Sequence, residues 1–549
     1  MNIPLELTRR RSTGSLARLV VALSTLATLA AGQDVLTSRN DQARSGVQSR
    51  ERILTPETVK TRLKFIRSLA VDGQVYAQPL YVSAADVYID GVLLVKRNLL
   101  IVATEHDSVY CFGADNGTRY WKKSLLLPGE TPSDPLGCSS ALEPEIGITG
   151  TPVIDRTAGP HGTIYVVSLA KHSGNYTYRL NALDLGTGHR TLGPTVIDAT
   201  FPGNGPGAQG NGTVRFQPKT QRQRIGLALA NGYIYIGFGS ICDTQPFTGW
   251  MLAYSQHALT QVAVFNANPN GVPPDTGFAT SSGAGIWQAG IAPVIDSRSG
   301  SLICVTGNGP FDPNSSDYGD TVLRLTSTPN DGVLNVADYF TPANQRSIQN
   351  EDLDLGSGGA TLFTVGNRTL VATAGKDSNI YLLDLSQVWA QYNGQNNNYI
   401  YQELDGANPG GIWGGPAYFN GSLYYGASGF YNPSSGLLEQ FTFNDTAALQ
   451  GPVAVAPTSF AWPGTVPSVS ANGTQDGIVW AIEVPNDGQG VTTGPAVLHA
   501  YDADNLQTEL FRSTVNFGDG IKFSVPTIAG GKVFVGTKSA VGVFGLGPG

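Results

Sequence analysis

A few polar side chains in glycine-rich turns are the residues of this chain best suited to chemistry. Asn308 lies in a Gly-Asn-Gly turn, Asp320 and Lys376 each follow a glycine, and Trp287 ends a glycine-rich stretch. Carboxylate and amide oxygens bind hard cations, a carboxylate can act as a general base, and a lysine stabilises developing negative charge. The same residue types also form ordinary turns, because asparagine tolerates left-handed backbone and aspartate caps strand ends. A catalytic interpretation therefore requires a fold that brings them together.

Three further acids are candidates for the same site. Asp243 is the only acid in its stretch, and Glu143 and Glu145 flank Pro144. Other site classes are excluded by pattern. The six histidines show no zinc-ligand spacing, and the chain carries no Gly-x-Ser-x-Gly turn, phosphate-binding glycine loop or nicotinamide fingerprint.

The composition indicates many short strands joined by tight turns. The 549 residues include 68 glycines and 33 prolines, and charged residues make up only 14%. So much glycine and proline disfavours a helical bundle, while 41% hydrophobic residues are enough for a large core. The formal net charge of −8 and the lack of a basic stripe exclude nucleic acid as a partner.

The first 32 residues are predicted to be a signal peptide. Arginines at 9–11 and Arg18 precede an apolar run over 19–31, which has the length of a signal-peptide core and is short for a membrane span. We place the cleavage before Gln33, which leaves residues 33–549 as one domain. No later segment has the apolar length of a span, so we expect a secreted, extracellular protein without a membrane partner after cleavage. We expect a monomer that acts on a small molecule or a glycan.

Sequons and cysteines agree with secretion. Cys138 and Cys242 lie in loops rich in glycine, proline and serine and are predicted to form a disulfide, whereas Cys111 and Cys304 lie in apolar strands and are predicted to be buried thiols. Eight Asn-x-Ser/Thr sequons are candidate glycosylation sites: Asn116, Asn175, Asn211, Asn314, Asn367, Asn420, Asn444 and Asn472.

An internal repeat predicts the fold. A unit with an apolar strand, a polar turn and an amphipathic strand, such as residues 99–104 and 108–112, recurs eight times over 77–546. Small antiparallel sheets of this kind bury their faces by stacking around an axis. We therefore predict an all-β chain folded as a single eight-bladed β-propeller of four-stranded blades. The last unit lacks a strand, and residues 63–69 form an unpartnered one, so we expect this N-terminal strand to close the ring. Two stacked β domains are the alternative, but no linker divides the chain.

Two of these turns resemble the repeat of the quinoprotein alcohol dehydrogenases. They are Ala114-Asp115-Asn116-Gly117 followed by Tyr120-Trp121, and Ala182-Leu183-Asp184 followed by Gly186-Thr187-Gly188. The resemblance implies an eight-bladed propeller that holds pyrroloquinoline quinone and a calcium ion on its axis.

The resemblance extends to site motifs at 303–310, 318–320, 374–384, 283–287 and 240–243. In the first two, it implies that Asn308 is a calcium ligand beside the cofactor and that Asp320 is the catalytic base. In the others, it implies that Lys376 contacts the quinone, that Trp287 packs under it, and that Asp243 is a second calcium ligand.

The sequence departs from the family at three points. Cys138 is followed by Ser139 rather than by a second cysteine, Thr321 replaces an asparagine, and the chain has no Cys-x-x-Cys-His haem motif. We therefore keep three functions open. The first is a secreted quinoprotein-like dehydrogenase acting on alcohol or sugar hydroxyls with pyrroloquinoline quinone and calcium. The second is a non-catalytic propeller that binds glycan or protein. The third is a hydrolase or lyase working through Glu143, Glu145 and Asp320, whose carboxylates line the axis.

Overall fold

A computed structural model describes residues 1, 33–136, 143–271, 282–326, 331–429, 433–486 and 492–547. Eight small antiparallel sheets form a ring, so the predicted eight-bladed β-propeller is confirmed. Residues 2–32 of the predicted leader lie outside the described residues. Cys138 also lies outside them, and with it the predicted disulfide to Cys242. Cys111 and Cys304 are buried free thiols, as predicted.

Each blade is numbered by its position along the chain, and its first strand lies innermost. Blade 1 contains Leu80–Ile89, Val92–Ala103, Ser108–Gly113 and Arg119–Ser124. Blade 2 contains Val153–Asp155, Thr163–His172, Asn175–Asp184 and Arg190–Val196. Blade 3 contains Ala228–Ala230, Tyr233–Ser240, Trp250–Ser255 and Gln261–Asn266. Blade 4 contains Val294–Ile295, Leu302–Val305, Val322–Leu325 and Val336–Phe340.

The second half of the ring follows the same plan. Blade 5 contains Thr361–Val365, Arg368–Ala374, Ile380–Asp384 and Gln402–Leu404. Blade 6 contains Ala417–Phe419, Ser422–Gly426, Leu437–Phe443 and Leu449–Ser459. Blade 7 contains Ser468–Asn472, Gln475–Glu483, Val497–Asp502 and Glu509–Arg512. Blade 8 contains Thr527–Ala529, Lys532–Gly536 and Ala540–Leu546, and its fourth strand is Leu63–Ala70.

Shorter elements connect or extend the blades. The α-helices are Pro56–Arg62 and Gln345–Asn350, and the 3-10 turns are Gln288–Gly290, Pro313–Ser315, Leu355–Ser357 and Pro433–Ser435. The remaining strands are Val47–Gln48, Thr131–Pro132, Thr200–Pro202, Thr213–Arg215, Gln221–Arg222, Phe311–Asp312 and Asp317–Tyr318. In the part of the chain that the structure covers, neither helix has the length or the apolar character needed to cross a membrane.

The N-terminal strand closes the ring as the sequence predicted. Leu63–Ala70 pairs antiparallel with Ala540–Leu546, so that Leu69 lies opposite Val541. The pairing joins the two ends of the domain and removes an open sheet edge. The hydrophobic core lies between blades; one cluster packs Leu100 of blade 1 against Ile164 of blade 2 and Val541 of blade 8.

Residues 33–51, here called the axial segment, run around the propeller axis and contact every blade, at the innermost strand in blades 1 to 7 and at the turn that follows it in blade 8. The repeat gave no sign of this arrangement. The contacts follow ring order, from Val35 on blade 1 and Leu36 on blade 2 to Gly46 on blade 7 and Glu51 on blade 8. Blades 3 to 6 contact Gln42, Ala43 and Ser45. Val47–Gln48 also pairs in parallel with Val469 and Ser470, giving blade 7 a fifth strand.

Two buried arginines fix the axial segment to the ring. Arg39 is 1% exposed, and its guanidinium donates to the carbonyls of Pro467 and Pro416 at 2.6 and 2.7 Å. Arg44, also 1% exposed, donates to the carbonyl of Pro293 at 2.9 Å. Burial lowers the pKa of each guanidinium to about 10, so both stay charged at neutral pH. The chain's own backbone and side chains therefore lie across this end of the axis.

Candidate functional site

The candidate site lies at the opposite end of the axis, here called the loop end. Two kinds of segment meet there. Turns between the second and third strands carry Asp243 in blade 3, Asn308 in blade 4 and Lys376 in blade 5. Links between blades, which lead into the innermost strands, carry Trp287 and the pair Asp352 and Asp354. A propeller brings such segments together because every blade repeats the same path.

Asn308, Asp352, Asp354 and Lys376 form one hydrogen-bonded group, here called the Lys376 cluster. The Nζ of Lys376 lies 2.6 Å from Oδ2 of Asp354 and 3.2 Å from Oδ1 of Asp352. The backbone amide of Asn308 donates to Oδ1 of Asp354 at 2.7 Å, and its side-chain amide donates to Oδ1 of Asp352 at 2.8 Å. The structure thus brings Asn308 and Lys376 together, as the site prediction requires, around two aspartates that the sequence analysis did not select.

The two aspartates differ in exposure. The side chain of Asp354 is 12% exposed, whereas that of Asp352 is 77% exposed. Burial alone would lower the pKa of Lys376, but the adjacent Asp354 and Asp352 outweigh it and raise that pKa. A buried carboxylate requires such a counter-charge. Asp354 is therefore the sheltered carboxylate of the cluster, and Lys376 is its partner cation.

A glycine allows the approach of Asp354 to Asn308. A Cβ atom at Gly307 would lie 2.3 Å from Oδ1 of Asp354 and 3.0 Å from Nε1 of Trp287. A larger residue would push the carboxylate away from the Asn308 amide. The glycine before Asn308 is therefore required by the close approach of Asp354. The same close packing places the half-buried Trp287 beside the cluster.

Asp243 lies close enough to the cluster to sense its charge. Partial removal from water, followed by the negative charge of Asp354, raises the pKa of Asp243. Its Oδ1 accepts a hydrogen bond from Ser240 at 2.8 Å. Of the predicted residues, Asn308 and Lys376 are joined by hydrogen bonds and Trp287 lies beside them, whereas Asp243 lies near enough for the charge of Asp354 to act on it.

Asp320 occupies a different environment. It is fully buried, and its Oδ1 accepts from the backbone amide of Leu355 at 3.1 Å, the residue next to Asp354. Burial, followed by the charge of Asp354, raises the pKa of Asp320 well above its ordinary value. In this geometry Asp320 is fully buried and holds the link that carries Asp354, whereas the side chain of Asp354 is 12% exposed. The role of Asp320 as base stays a prediction.

Glu143 and Glu145 lie apart from the cluster. Glu145 pairs with Nδ1 of His106 at 3.0 Å, and Glu143 is exposed. Neither forms an ion pair or hydrogen bond with the Lys376 cluster in the described part of the chain.

A row of aromatic rings continues from Lys376 around the axis. Lys376 lies 5.9 Å from the Trp413 ring centroid. Trp413 contacts Trp462, and Trp462 contacts Phe523, with ring centroids 6.4 and 6.3 Å apart. Arg224 follows, with its guanidinium carbon 4.5 Å from the Phe523 centroid and 5.3 Å from that of Tyr76. We call Tyr76, Arg224, Trp413, Trp462 and Phe523 the aromatic rim.

Solved structures share this architecture. The quinohemoprotein alcohol dehydrogenase of Comamonas testosteroni is similar over 96% of this chain and 82% of its own, with 14% identity and a TM-score of 0.57. The ADHIIG enzyme of Pseudomonas putida HK5, also a quinohemoprotein alcohol dehydrogenase, is similar over 94% and 80%, with 14% identity and a TM-score of 0.55. The chain has the fold of a quinoprotein alcohol dehydrogenase. No family model and no curated protein matches the sequence.

This alcohol dehydrogenase-like propeller confirms the resemblance seen in the repeat. At 14% identity the likeness is one of fold. The chemistry of the site therefore depends on the Lys376 cluster and the aromatic rim.

Proposed function

We propose that the chain is a quinone-dependent dehydrogenase that oxidises the hydroxyl group of an alcohol or sugar. The observation that supports it best is the Lys376 cluster, which holds a sheltered carboxylate, a lysine and an amide at the loop end of an eight-bladed ring. These are the groups needed to accept a hydroxyl proton and to stabilise negative charge.

The residues fit the implied cofactors in part. The side-chain oxygen of Asn308 is buried and accepts no hydrogen bond from the described residues. Amide and carboxylate oxygens are the ligands that calcium prefers, so Asn308 and Asp243 would hold the ion, while Asp354 stays free to act as base. The described residues contain no group of three His, Cys, Asp or Glu able to bind a metal, so further ligands would come from the quinone and water. Lys376 and Trp287 would lie beside the quinone.

The protein's residues then have definite tasks in the oxidation. Bound pyrroloquinoline quinone with calcium would supply a polarised acceptor for a hydride. Asp354 takes the proton of the substrate hydroxyl. The adjacent carbon gives up its hydrogen as a hydride to that acceptor, and the carbon–oxygen double bond forms. Lys376 balances the charge of Asp354 before the transfer and offers N–H donors to oxygens that become negative. Asp320 and Gly307 position Asp354 through Leu355 and the Asn308 amide.

Binding of the cofactors provides the direct test. We expect pyrroloquinoline quinone with calcium to raise the melting temperature of the purified protein by several degrees, because a ligand at 100 times its Kd adds about 2.7 kcal/mol. Asn308→Ala should abolish most of this rise, while Asn314→Ala, an exposed asparagine in the same blade, should keep it. Dye reduction by an alcohol or sugar panel should follow the same order.

The opposite outcome favours a different function. If neither a thermal shift nor dye reduction occurs, the quinoprotein proposal fails. Binding of a glycan or protein without turnover would then support the non-catalytic propeller.

We also propose that the protein acts as a secreted, extracellular monomer. Support comes from the leader-like first 32 residues and from the sequons, since seven of the eight asparagines are exposed and only Asn444 is half-buried. Mass spectrometry of protein from culture medium should find Gln33 at the N-terminus and a mass that falls on glycosidase treatment. A retained leader or an unglycosylated intracellular product would contradict this proposal.

A further inference from the structure

Arg224 is a nearly buried cation that lacks an acceptor among the described residues. It is 6% exposed, and its guanidinium carbon lies near the Phe523 ring and, at a longer distance, near that of Tyr76. Cation–π contacts cover the flat faces of the group and leave its N–H edge without an acceptor from the residues that the structure describes. Burial, followed by repulsion from Arg222, lowers the pKa of Arg224 to about 9.

Three buried arginines elsewhere in the described part of the chain each have strong acceptors. Arg39 and Arg44 donate to proline carbonyls, and Arg179 forms a two-pronged pair with Glu130 at 2.6 and 3.0 Å. Structural guanidinium groups in this fold therefore find acceptors. Arg224 departs from that pattern, because only the charge of Glu105, without a hydrogen bond, offsets its own, and a buried charge with so little compensation is costly to keep.

The neighbouring Arg222 does not remove the imbalance. Its Nη2 lies 3.6 Å from Oε1 of Glu105 and donates to Thr149 at 3.3 Å, while its buried Nε has no partner among the described residues. Glu105 thus balances one guanidinium, and the second remains. Two guanidinium groups therefore share the charge of one carboxylate, Glu105, which acts on Arg224 without a hydrogen bond to it.

The position of Arg224 in the repeat places it on the axis. The links into the innermost strands can be compared position by position, counting back from the first residue of each innermost strand. Four positions before that residue, blades 1 to 8 carry Tyr76, Thr149, Arg224, Gly290, Ser357, Trp413, Gly464 and Phe523. Arg224 is the one charged member of this described set. It therefore lies at the level of Trp413, which contacts Lys376.

We propose that Arg224, supported by Arg222, binds a carboxylate at the loop end of the axis. A guanidinium edge matches a carboxylate with two parallel hydrogen bonds, and the aromatic rim would pack against the rest of the ligand. The carboxylate belongs either to an acidic substrate, such as a uronic acid or hydroxy acid, or to the quinone, which is a tricarboxylate. Only the assignment of the carboxylate to a substrate rests on the proposed function, because binding of a carboxylate needs no turnover.

The ligand-free protein gives the first test. Since Arg224 lacks an acceptor, Arg224→Met should leave the melting temperature unchanged or raise it, whereas Arg39→Met should lower it clearly. A large fall for Arg224→Met would show that the residue is structural and would overturn the proposal.

Binding without quinone or dye gives the second test. D-glucuronate and D-glucose differ at C6 by a carboxylate against a hydroxymethyl group, and we expect titration calorimetry to detect only glucuronate if the source is a substrate. Arg224→Gln should weaken that binding roughly ten- to a hundredfold, Arg224→Lys less, and Arg215→Gln, an exposed arginine of the link into blade 3, not at all.

Binding of pyrroloquinoline quinone distinguishes a cofactor carboxylate from a substrate carboxylate. If glucuronate does not bind but Arg224→Gln weakens pyrroloquinoline quinone tenfold or more, the carboxylate is the cofactor's. If neither ligand distinguishes Arg224→Gln or Arg222→Gln from the unaltered protein, the proposal is wrong. Failure of dye reduction with intact glucuronate binding would overturn the dehydrogenase proposal and leave this one standing.

Discussion

Replacement of Asp354 by asparagine is expected to lower kcat of the quinone-loaded protein by roughly 100- to 10,000-fold, the usual contribution of a general base. Asparagine keeps the size of the side chain and can still accept from the Asn308 amide, but it cannot take a proton. The measurement is dye-linked turnover of any alcohol or sugar that the unaltered protein oxidises, with circular dichroism to verify folding.

Two neighbouring aspartates serve as matched controls for that change. Asp320→Asn should reduce kcat less than tenfold, because the Asp320 carboxyl is fully buried and accepts from the Leu355 amide, so a substrate hydroxyl does not reach it. Asp352→Asn should also have a modest effect, since this side chain is 77% exposed. If Asp320→Asn proves as damaging as Asp354→Asn while the protein stays folded, the assignment of the base to Asp354 is wrong.

Arg39→Met is expected to reduce the free energy of unfolding by roughly 2–6 kcal/mol. The substitution removes the donor for two buried carbonyls, at Pro416 and Pro467, and each unsatisfied buried acceptor costs about 1–3 kcal/mol. Urea unfolding followed by tryptophan fluorescence measures the change. Arg52→Met, on an exposed arginine close in sequence, should change stability by about 0.5 kcal/mol or less.

A small effect of Arg39→Met would contradict the role given to the axial segment. It would mean that residues 33–51 lie on the ring without holding its blades together.

The sequence predicted the ring because its signal is repeated. Each blade carries the same apolar strands and polar turns, and a missing strand at one end matched an unpaired one, residues 63–69, at the other. The axial segment gave no such signal. It contacts a different blade every few residues, so its sequence has no period. A sequence with Arg39 and Arg44 is typical of an exposed turn, and only the fold shows that proline carbonyls accept hydrogen bonds from both side chains.

The site was predicted where its residues follow strands of the repeat, as Asn308 and Lys376 do. Asp352 and Asp354 escaped notice because they lie in a link between blades 4 and 5, where length and course vary. A signal was present: the links leading into the innermost strands face the axis in all blades, so acids or arginines there, including Arg222 and Arg224, are candidates. The proposal of Asp354 rather than Asp320 as base rests on burial, and burial is a property of the assembled ring.

The segment across one end of the axis has a kinetic consequence for the proposed dehydrogenase. Because residues 33–51 lie across that end, the reactant, its carbonyl product and an outside electron carrier would all use the opening beside Lys376. Their visits would alternate, because the product would have to leave before the carrier could collect the stored electrons. A dehydrogenase built this way would work as two separate half-reactions, each waiting for the other's molecule to leave.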